Sequence, residues 1–276
     1  MGGSTAAVVA LKPVTHAKSR LDTVPDPLRR RLAWTMAVDT LTALAATVAE
    51  VLVVSDQPAL ASRLARAGVR ARVVGEAGAE GMNGALARGA RLLNQAGHAR
   101  VLASVGDLPA LRPASVRTVL AASPAEGRYY LADASGIGTT MLIAGGVGLD
   151  PHFQGGSAAA HARSGAEPLT DAVLASPVPD ARADVDTEAD LVPAAALGIG
   201  AATAALLVPG SAHLAEYSVV TTTGYTDARQ RPLVVTAAGH RLVLPTSSLA
   251  DGLRDLRPGQ RLHSVHTEGV VRSAWL

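Results

Sequence analysis

The sequence contains no cysteine and very few aromatic residues. Without cysteine, the chain has no disulfide, no thiolate metal site and no cysteine nucleophile, and its composition fits a reducing cytoplasm. Aromatic residues make up 3% of the 276 positions, too few to provide the stacking surfaces on which single-stranded nucleic acids bind. The formal net charge of +2 is also too small to indicate a polyanionic partner. We therefore expect a cytoplasmic protein that does not bind nucleic acid.

The sequence also lacks a hydrophobic run long enough to span a membrane. Residues 191–214 lie within its longest stretch without a charged side chain, but proline and glycine interrupt this stretch repeatedly. A membrane helix needs about 20 mainly apolar residues in succession. We therefore interpret residues 191–214 as a buried helix followed by a linker, and we expect no association with a membrane.

Lysine is scarce as well, and its two occurrences lie close together. Lys12 and Lys18 are the only lysines among 25 basic residues, and both fall in the segment from Leu11 to Leu21. The compact charge of lysine suits a phosphate oxygen, and the planar fork of Arg20 adds a bidentate donor. The segment follows the first apolar run, which favours a triphosphate site over a solvated basic loop. It contains neither a Rossmann glycine fingerprint nor a P-loop.

Apolar segments of strand length alternate with helical segments in the first half of the chain. Strands are predicted at residues 5–11, 51–56, 69–74 and 100–105, and helices at 26–49, 58–67, 83–95 and 113–122. This alternation indicates a mostly parallel, three-layer α/β sheet, in which ligands bind at the carboxyl ends of the strands. Polar clusters occupy those ends: Lys12 to Arg20, Ser55 with Asp56, the loop at Gly81, and Asp107.

The pattern changes at Pro209. Five later segments alternate as short strands, at residues 217–223, 232–236, 241–244, 261–267 and 269–275. We therefore expect an α/β domain at residues 1–208 and a small all-β domain, barrel-like, at residues 209–276. For this second domain we favour a role in oligomerisation, such as a homodimer, or in stabilisation.

Three aspartates are candidate metal ligands. Asp107 directly follows the fourth predicted strand, and Asp184 and Asp186 flank Val185 in a segment predicted as a short strand before a helix capped by Thr187. Alternation along a strand puts Asp184 and Asp186 on one face, where they repel unless a cation lies between them. Because Mg²⁺ takes one or two carboxylates together with phosphate oxygens, the three suit a magnesium site. Helix capping by Asp186, with Asp184 solvated, is the alternative.

Two segments rich in glycine and hydroxyl groups, residues 136–140 and 153–157, come next. Their backbone N–H groups suit a small phosphate or carboxylate, although ordinary turns have the same composition. His152 and His161 lie beside them, and each is more simply interpreted as a packed or surface histidine than as a ligand or base.

Taken in order, these segments resemble one family, the 2-phospho-L-lactate/phosphoenolpyruvate guanylyltransferases of coenzyme F-420 biosynthesis. The resemblance covers about residues 5–208. It is carried by the following motifs: Ala10-Leu11-Lys12-Pro13 with Ala17-Lys18-Ser19-Arg20-Leu21, Val53-Val54-Ser55-Asp56, Gly81-Met82-Asn83-Gly84-Ala85-Leu86, Gly106-Asp107-Leu108-Pro109, Gly138-Thr139-Thr140, Phe153 with Gly156-Ser157 and His161, and Asp184-Val185-Asp186-Thr187.

The resemblance implies a Rossmann-like, GT-A-like nucleotidyltransferase fold, GTP as the nucleotide donor and a small phosphorylated acid as the acceptor. It implies Mg²⁺ on Asp107, Asp184 and Asp186, with Lys12, Lys18 and Asp107 stabilising charge during transfer. The nucleotide-binding positions are Leu11, Lys12, Lys18, Ser19, Arg20, Ser55, Asp56, Gly81 and Asn83. The acceptor-binding positions are Thr139, Thr140, Gln154, Gly156 and Ser157. Gln154 departs from the family, in which glycine often follows the phenylalanine.

Two other functions are compatible with the same residues. One is a nucleotidyltransferase with a different acceptor, such as a pterin or a sugar phosphate. The other is a GTP-binding regulator without catalytic activity, in which the all-β part is an interaction module.

Overall fold

The computed structural model describes residues 3–12, 21 and 23–276. The α/β part contains strands β1 (Thr5–Ala10), β2 (Glu50–Val54), β3 (Arg72–Val74), β4 (Arg100–Ser104), β5 (Gly127–Ala132), β6 (Thr139–Gly145) and β7 (Glu167–Pro168). Its longer helices are α1 (Asp26–Ala45), α2 (Leu60–Arg66), α3 (Gly81–Gln95), α4 (Pro113–Ala122), α5 (Ser157–Arg163) and α7 (Leu191–Leu197). Two single-turn helices, α6 (Pro179–Arg182) and α8 (Ala201–Ala204), complete it.

The seven strands form one sheet in the order β3-β2-β1-β4-β6-β5-β7. Strands β1 to β4 are parallel, as predicted. Strand β6 is antiparallel to β4 and to β5, so it reverses direction within the sheet. The sheet is therefore mixed, and the beginning of β6 lies at the same edge as the end of β4.

Helices cover both faces of this sheet. Along β1, Ala7 and Val9 pack into a core with α1, α2 and α4, whereas Ala6 and Val8 pack into a second core with α3 and α5. Alternate side chains of a strand point to opposite faces, so one apolar strand supplies both cores. The predicted three-layer α/β architecture, followed by a β-rich C-terminal part, is confirmed.

The C-terminal part is a closed five-stranded barrel. Its strands are β8 (Glu216–Thr226), β9 (Pro232–Thr236), β10 (Arg241–Val243), β11 (Arg261–Thr267) and β12 (Val270–Trp275), and they close in the order β10-β12-β11-β8-β9. A short 3₁₀ helix, Thr246–Ser248, lies between β10 and β11. Closure leaves no free sheet edge, and Val220, Val234 and Leu262 fill the interior.

The barrel packs directly on α1. Val265 and Trp275 share one buried core with Leu32 of α1 and with Val185, which lies between the two predicted metal ligands. The Asp251 carboxylate accepts hydrogen bonds from the Arg31 guanidinium at 2.7 Å and from Trp34 Nε1 at 3.2 Å. The boundary predicted at residue 209 remains a prediction, because Leu206 and Ala215 on either side of it belong to this same core.

Some predicted elements differ from the structure. The segment from Asp184 to Asp186 is irregular rather than a strand, and α7 begins at Leu191 instead of near Thr187. Thr187 is therefore not the helix cap: its N–H and hydroxyl both donate to the Asp190 carboxylate, at 2.7 and 2.9 Å. Within the described ranges, no helix is both long and apolar enough to cross a membrane.

Candidate active site

The candidate site lies where the carboxyl ends of β1, β2 and β4 meet the beginning of β6. Leu11 N–H donates to Val54 O at 3.1 Å, which extends the pairing of β1 with β2 beyond the last residue of β1. Val105 N–H donates to Thr140 O at 3.0 Å, so Gly106 and Asp107 emerge beside Thr139. The topology thus brings four of the predicted segments to one edge.

The predicted acids are held against one another through their backbone. Val185 N–H donates to the carbonyl oxygen of Asp107 at 3.1 Å, and the Val185 side chain is fully buried in the core shared with the barrel. Asp184 and Asp186, on either side of Val185, are both half-buried. Val185 is therefore buried between two half-buried aspartates, and the prediction that the two carboxylates share one face remains a prediction, because the segment is not a strand.

The pKa of Asp184 is raised by burial and by neighbouring negative charge. The pKa of Asp184 is raised to about 7. Burial is the largest cause, and the negative charges of Asp107, Asp186 and Asp133 contribute to the same rise. Ionising a carboxyl group in such surroundings is costly, because desolvation and like charges both disfavour the anion. A cation at this position would remove that cost, so the site favours positive charge.

Asp133 is a member of this cluster that the sequence did not reveal as functional. Its carboxylate accepts hydrogen bonds from Ser135 Oγ at 2.8 Å, Ile137 N at 3.1 Å and Gly138 N at 2.9 Å, so it orders the turn between β5 and β6. A Cβ atom at Gly138 would collide with this carboxylate. The Asp-Ala-Ser-Gly sequence is typical of such a turn, and that signal could have identified Asp133 as the residue that shapes the loop before Thr139.

A three-carboxylate metal site is not assembled by the described residues. Within residues 3–12, 21 and 23–276, no group of three or more His, Cys, Asp or Glu side chains is arranged to hold one metal ion. The three-aspartate magnesium site therefore stays a prediction. The donor set fits a hard cation in another way, because Mg²⁺ commonly binds one or two carboxylates and completes its shell with phosphate oxygens and water.

The basic loop is only partly described. Residues 13–20 and 22 lie outside the described residues, so the predicted roles of Lys18, Ser19 and Arg20 stay predictions. Lys12 is exposed, and its carbonyl oxygen accepts from Gln57 Nε2 at 2.9 Å. The Ser55 hydroxyl donates to the carbonyl oxygen of Leu11. Ser55 and Gln57 therefore fix the beginning of the loop, and Gln57 is a residue that the sequence did not single out.

Leu11 and Asp56 also have structural contacts at this edge. A Cβ atom added to Gly106 would lie 2.8 Å from Leu11 Cδ2, so glycine lets the Leu11 side chain cover the backbone just before Asp107. Asp56 is exposed and accepts from Glu76 N at 2.8 Å, which ties the end of β2 to the turn after β3. The predicted nucleotide contacts of both residues remain predictions.

Asn83 is hydrogen-bonded to the loop predicted to bind the acceptor. Its side-chain amide donates to Phe153 O at 3.0 Å and accepts from Phe153 N at 2.8 Å, so it pairs with this backbone unit on both sides. Gly81, two residues earlier, begins α3 with a φ of +65°. The sequence predicted a nucleotide contact for Asn83, whereas its observed contacts are with the loop predicted to bind the acceptor.

The predicted acceptor loop, residues 153–157, is anchored at both ends. The Phe153 side chain is buried, and Ala158 N–H donates to Ile137 O at 3.0 Å, which joins this loop to the turn ordered by Asp133. Gln154 between them is exposed and has a φ of +93°, followed by Gly155 at +57°. A glycine adopts such a φ without strain, so the backbone at this position is of the kind that suits the glycine expected from the resemblance.

The two threonines at the start of β6 differ in what their hydroxyl groups contact. Thr140 is fully buried and donates to Ala181 O at 2.7 Å, so its hydroxyl hydrogen is occupied. Thr139 Oγ1 lies 3.0 Å from His161 Nδ1. Ser157 is buried at the beginning of α5, with exposed Gly156 just before it. Thr139, Gly156 and Ser157 are therefore the predicted acceptor residues that line the junction of the two loops.

Comparisons with known proteins identify the family of this chain. The sequence model of the family described as "Guanylyl transferase CofC like" matches residues 5–207. The phosphoenolpyruvate guanylyltransferase of Salinispora arenicola is 46% identical over 205 residues, which cover 72% of this chain and 91% of the relative. The enzyme of the same name from Streptomyces coelicolor is 45% identical over 204 residues, covering 72% of this chain and 93% of the relative.

Among solved structures, a nucleotidyl transferase from Methanothermobacter thermautotroptrophicus aligns with a TM-score of 0.45 at 21% identity, covering 68% of this chain and 94% of that one. The family match ends at residue 207, so β8 to β12 lie outside it. The match spans most of the chain, and the relatives are matched over nearly their whole length. The chain therefore belongs to the CofC-like guanylyl transferase family.

Proposed function

We propose that this protein transfers GMP from GTP to phosphoenolpyruvate and releases pyrophosphate, as a step of coenzyme F-420 biosynthesis. Membership of a guanylyl transferase family supports the type of reaction. The two phosphoenolpyruvate guanylyltransferases that are 46% and 45% identical to the chain support phosphoenolpyruvate as the acceptor. The structural observation that carries the proposal is the cluster of carboxylates around Asp184 directly beside the loop junction at Thr139.

The reaction exchanges one phosphorus–oxygen bond for another. An oxygen of the phosphoenolpyruvate phosphate forms a bond to the α-phosphorus of GTP, and the bond from that phosphorus to the β-phosphate oxygen breaks. Pyrophosphate leaves with the electron pair, and guanosine and enolpyruvate become joined through a diphosphate. No covalent intermediate is needed, so the protein contributes positioning and charge stabilisation.

The chain supplies both contributions from this edge. The backbone N–H groups of Gly155 and Gly156 and the hydroxyls of Thr139 and Ser157 suit the carboxylate and phosphate of the acceptor. Lys12, and Lys18 and Arg20 in the sequence that follows it, suit the triphosphate, because they come soon after β1 along the chain. Asn83 holds the backbone of Phe153 and so keeps the acceptor loop in place.

We propose that Mg²⁺ binds at Asp107 and Asp184, with Asp186 close to it. The raised pKa of Asp184 supports this assignment, because burial and then the negative charge of the neighbouring aspartates make its ionisation costly, and a cation offsets both. Two carboxylates and the triphosphate oxygens would provide the usual oxygen ligands. When bound, the ion would neutralise charge on the phosphates during transfer.

The proposal is tested by measuring pyrophosphate release from the full-length protein with GTP, Mg²⁺ and one acid at a time. Phosphoenolpyruvate should support turnover, and 2-phospho-L-lactate is the comparison acid. Turnover only with a pterin or a sugar phosphate would instead identify a different nucleotidyltransferase. Tight GTP binding without pyrophosphate from any acceptor would indicate a GTP-binding regulator.

A matched pair of variants links the activity to the acid cluster. Asp107→Asn should lower turnover by about 10²-fold or more, the usual effect of losing one electrostatic contact at a reacting phosphate. Asp255→Asn makes the same change in net charge at an exposed position of the barrel and should leave turnover unchanged. Equal turnover in the two variants would remove Asp107 from the site.

A further inference from the structure

His161 is a fully buried histidine whose two ring nitrogens both have hydrogen-bond partners. Its Nε2 accepts a hydrogen bond from the backbone N–H of His152 at 2.9 Å. Its Nδ1 lies 3.0 Å from the hydroxyl oxygen of Thr139. The ring therefore connects the start of β6, the loop before Phe153, and α5.

The partner at Nε2 determines where the ring proton lies. A backbone N–H can only donate, so Nε2 must present its lone pair and carries no hydrogen. Burial, with the charge of His152, lowers the pKa of His161 to about 4, so the ring is neutral at physiological pH. A neutral imidazole has one N–H, and here it must be on Nδ1.

The direction of the second hydrogen bond follows. Nδ1–H faces Thr139 Oγ1, and the ring N–H also has a hydrogen bond to the backbone of Ser157. Because a protonated Nδ1 cannot accept a hydrogen bond, the Thr139 hydroxyl cannot donate to it and retains its own hydrogen. In this tautomer, that hydrogen has no acceptor among the hydrogen bonds of the described residues. Thr140 differs, because its hydroxyl donates to Ala181 O. Of the two neighbouring threonines, Thr139 is the one left as a donor.

The surroundings keep the ring in this state. The Phe153 ring contacts it edge-on, with centroids 5.1 Å apart, and the Tyr130 ring lies 6.0 Å away. The charged groups that act on His161 are His152, Asp150 and Arg128. Asp150 lies between the other two, 3.2 Å from His152 Nε2 and 2.9 Å from Arg128, so it is paired with them instead of with the ring of His161.

We propose that His161 is a positioning residue that fixes the Thr139 hydroxyl as a hydrogen-bond donor to an anionic oxygen of the acceptor substrate. This inference rests on the proposed function, because it assumes that the acceptor binds at the junction of residues 138–139 and 155–157. A hydroxyl without this partner would rotate and could present its lone pairs to the anion. The histidine therefore favours carboxylate and phosphate oxygens over hydrogen-bond donors at this point.

The first test is a double-mutant cycle on the KM for phosphoenolpyruvate. Thr139→Val removes the hydroxyl, and His161→Phe keeps a packed ring but removes the Nδ1–H. Each should raise that KM about tenfold, the typical value of one hydrogen bond to a charged group, and leave the KM for GTP unchanged. The double variant should be no worse than either single variant, because both remove the same interaction. Additive effects, or an equal rise in the KM for GTP, would overturn the proposal.

His161→Asn is the conservative control. The amide nitrogen of asparagine can occupy the position of Nδ1 and donate to Thr139, so this variant should recover part of the acceptor affinity that His161→Phe loses. A KM for phosphoenolpyruvate as high as that of His161→Phe would show that the ring acts by packing alone.

A measurement on the unmodified protein does not depend on the variants folding. In protein labelled with ¹⁵N-histidine, the two-bond ¹H–¹⁵N pattern of His161 should show the neutral Nδ1–H tautomer, and phosphoenolpyruvate should shift the Nδ1 signal. An Nε2–H tautomer or a charged ring would overturn the proposal whether or not the protein has turnover. Absence of pyrophosphate with every acceptor, together with the Nδ1–H tautomer, would refute the proposed function and not the geometry of the ring.

Discussion

Replacing Gln154 by glycine should stabilise the protein. Gln154 has a φ of +93°, a region that costs a non-glycine residue about 1–3 kcal/mol. Glycine removes this strain, but it gives back about 0.5–1 kcal/mol through the larger conformational entropy of the unfolded chain. The expected net gain is about 1 kcal/mol, which corresponds to a rise in Tm of about 2–4 °C for a domain of this size.

The assay is thermal unfolding with two comparison variants. Gln154→Ala removes the side chain and keeps the strained φ, so its Tm should stay close to that of the parent. Since the Gln154 side chain is exposed, Gln154→Ala should also leave the KM for phosphoenolpyruvate within about twofold. Gln230→Gly changes another positive-φ glutamine, at +59° in the barrel, and should raise the Tm without any effect on that KM.

The reasoning fails if Gln154→Gly has the same Tm as Gln154→Ala, or a lower one. Equal values would mean that the backbone at this position is unstrained, and that the departure from the family's glycine has no energetic cost. A large rise in the acceptor KM of Gln154→Ala would show that the side chain itself contacts the acceptor, as the sequence interpretation allowed.

Three further predictions concern the metal site, the barrel and the acceptor loop. The pKa of about 7 at Asp184 means that Mg²⁺ must displace a proton, so the rise in Tm on adding Mg²⁺ should be larger at pH 8 than at pH 6, and Asp184→Asn should abolish this difference. Asp251→Ala removes the acceptor of Arg31 and should lower the free energy of unfolding by about 1–3 kcal/mol in urea titrations. Asn83→Ala removes both hydrogen bonds to the Phe153 backbone and should raise the KM for phosphoenolpyruvate by about tenfold in steady-state assays.

Each of these has a contradicting result. A Mg²⁺ response that is equal at both pH values would mean that Asp184 does not ionise on binding. Asp184 also determines how the stability of the metal-free protein depends on pH. The free energy of unfolding should fall as pH rises from about 4 towards 7, because the Asp184 carboxyl group ionises at a lower pH in the unfolded chain than in the folded protein. Unchanged stability in Asp251→Ala would mean that the contact with α1 contributes nothing to folding. If Asn83→Ala changed only the KM for GTP, the result would support the nucleotide contact predicted from the sequence for Asn83.

Much of the fold could be predicted from the sequence, because its strands are continuous apolar runs and its helices have apolar residues at helical spacing. The runs at β1, β2 and β4 are uninterrupted, which is typical of strands buried on both faces, and the observed bounds differ from the predicted ones by one or two residues. The direction of β6 could not be predicted in this way. A buried antiparallel strand has the same apolar composition as a parallel one, and only the short turn after Asp133 distinguishes them.

The site was predictable to the extent that its residues lie directly after strands. Asp107 was placed correctly at the end of β4 because position along the chain determines it. The contacts of Asn83 with Phe153 join residues 70 positions apart, and no local pattern carries that information. The packing of Val185 and Trp275 in one core is likewise tertiary, and it makes the barrel a structural support of the segment that carries Asp184 and Asp186.

The most direct test of the proposed transfer is ³¹P NMR of a reaction containing the protein, GTP, Mg²⁺ and phosphoenolpyruvate labelled with ¹⁸O in its phosphate. Attack on the α-phosphorus predicts two coupled signals of an unsymmetrical diphosphate and an equal amount of unlabelled pyrophosphate. It also predicts ¹⁸O in the oxygen that bridges the two phosphorus atoms of the product. Formation of GDP and orthophosphate, or ¹⁸O in the pyrophosphate, would contradict guanylyl transfer to the acceptor phosphate.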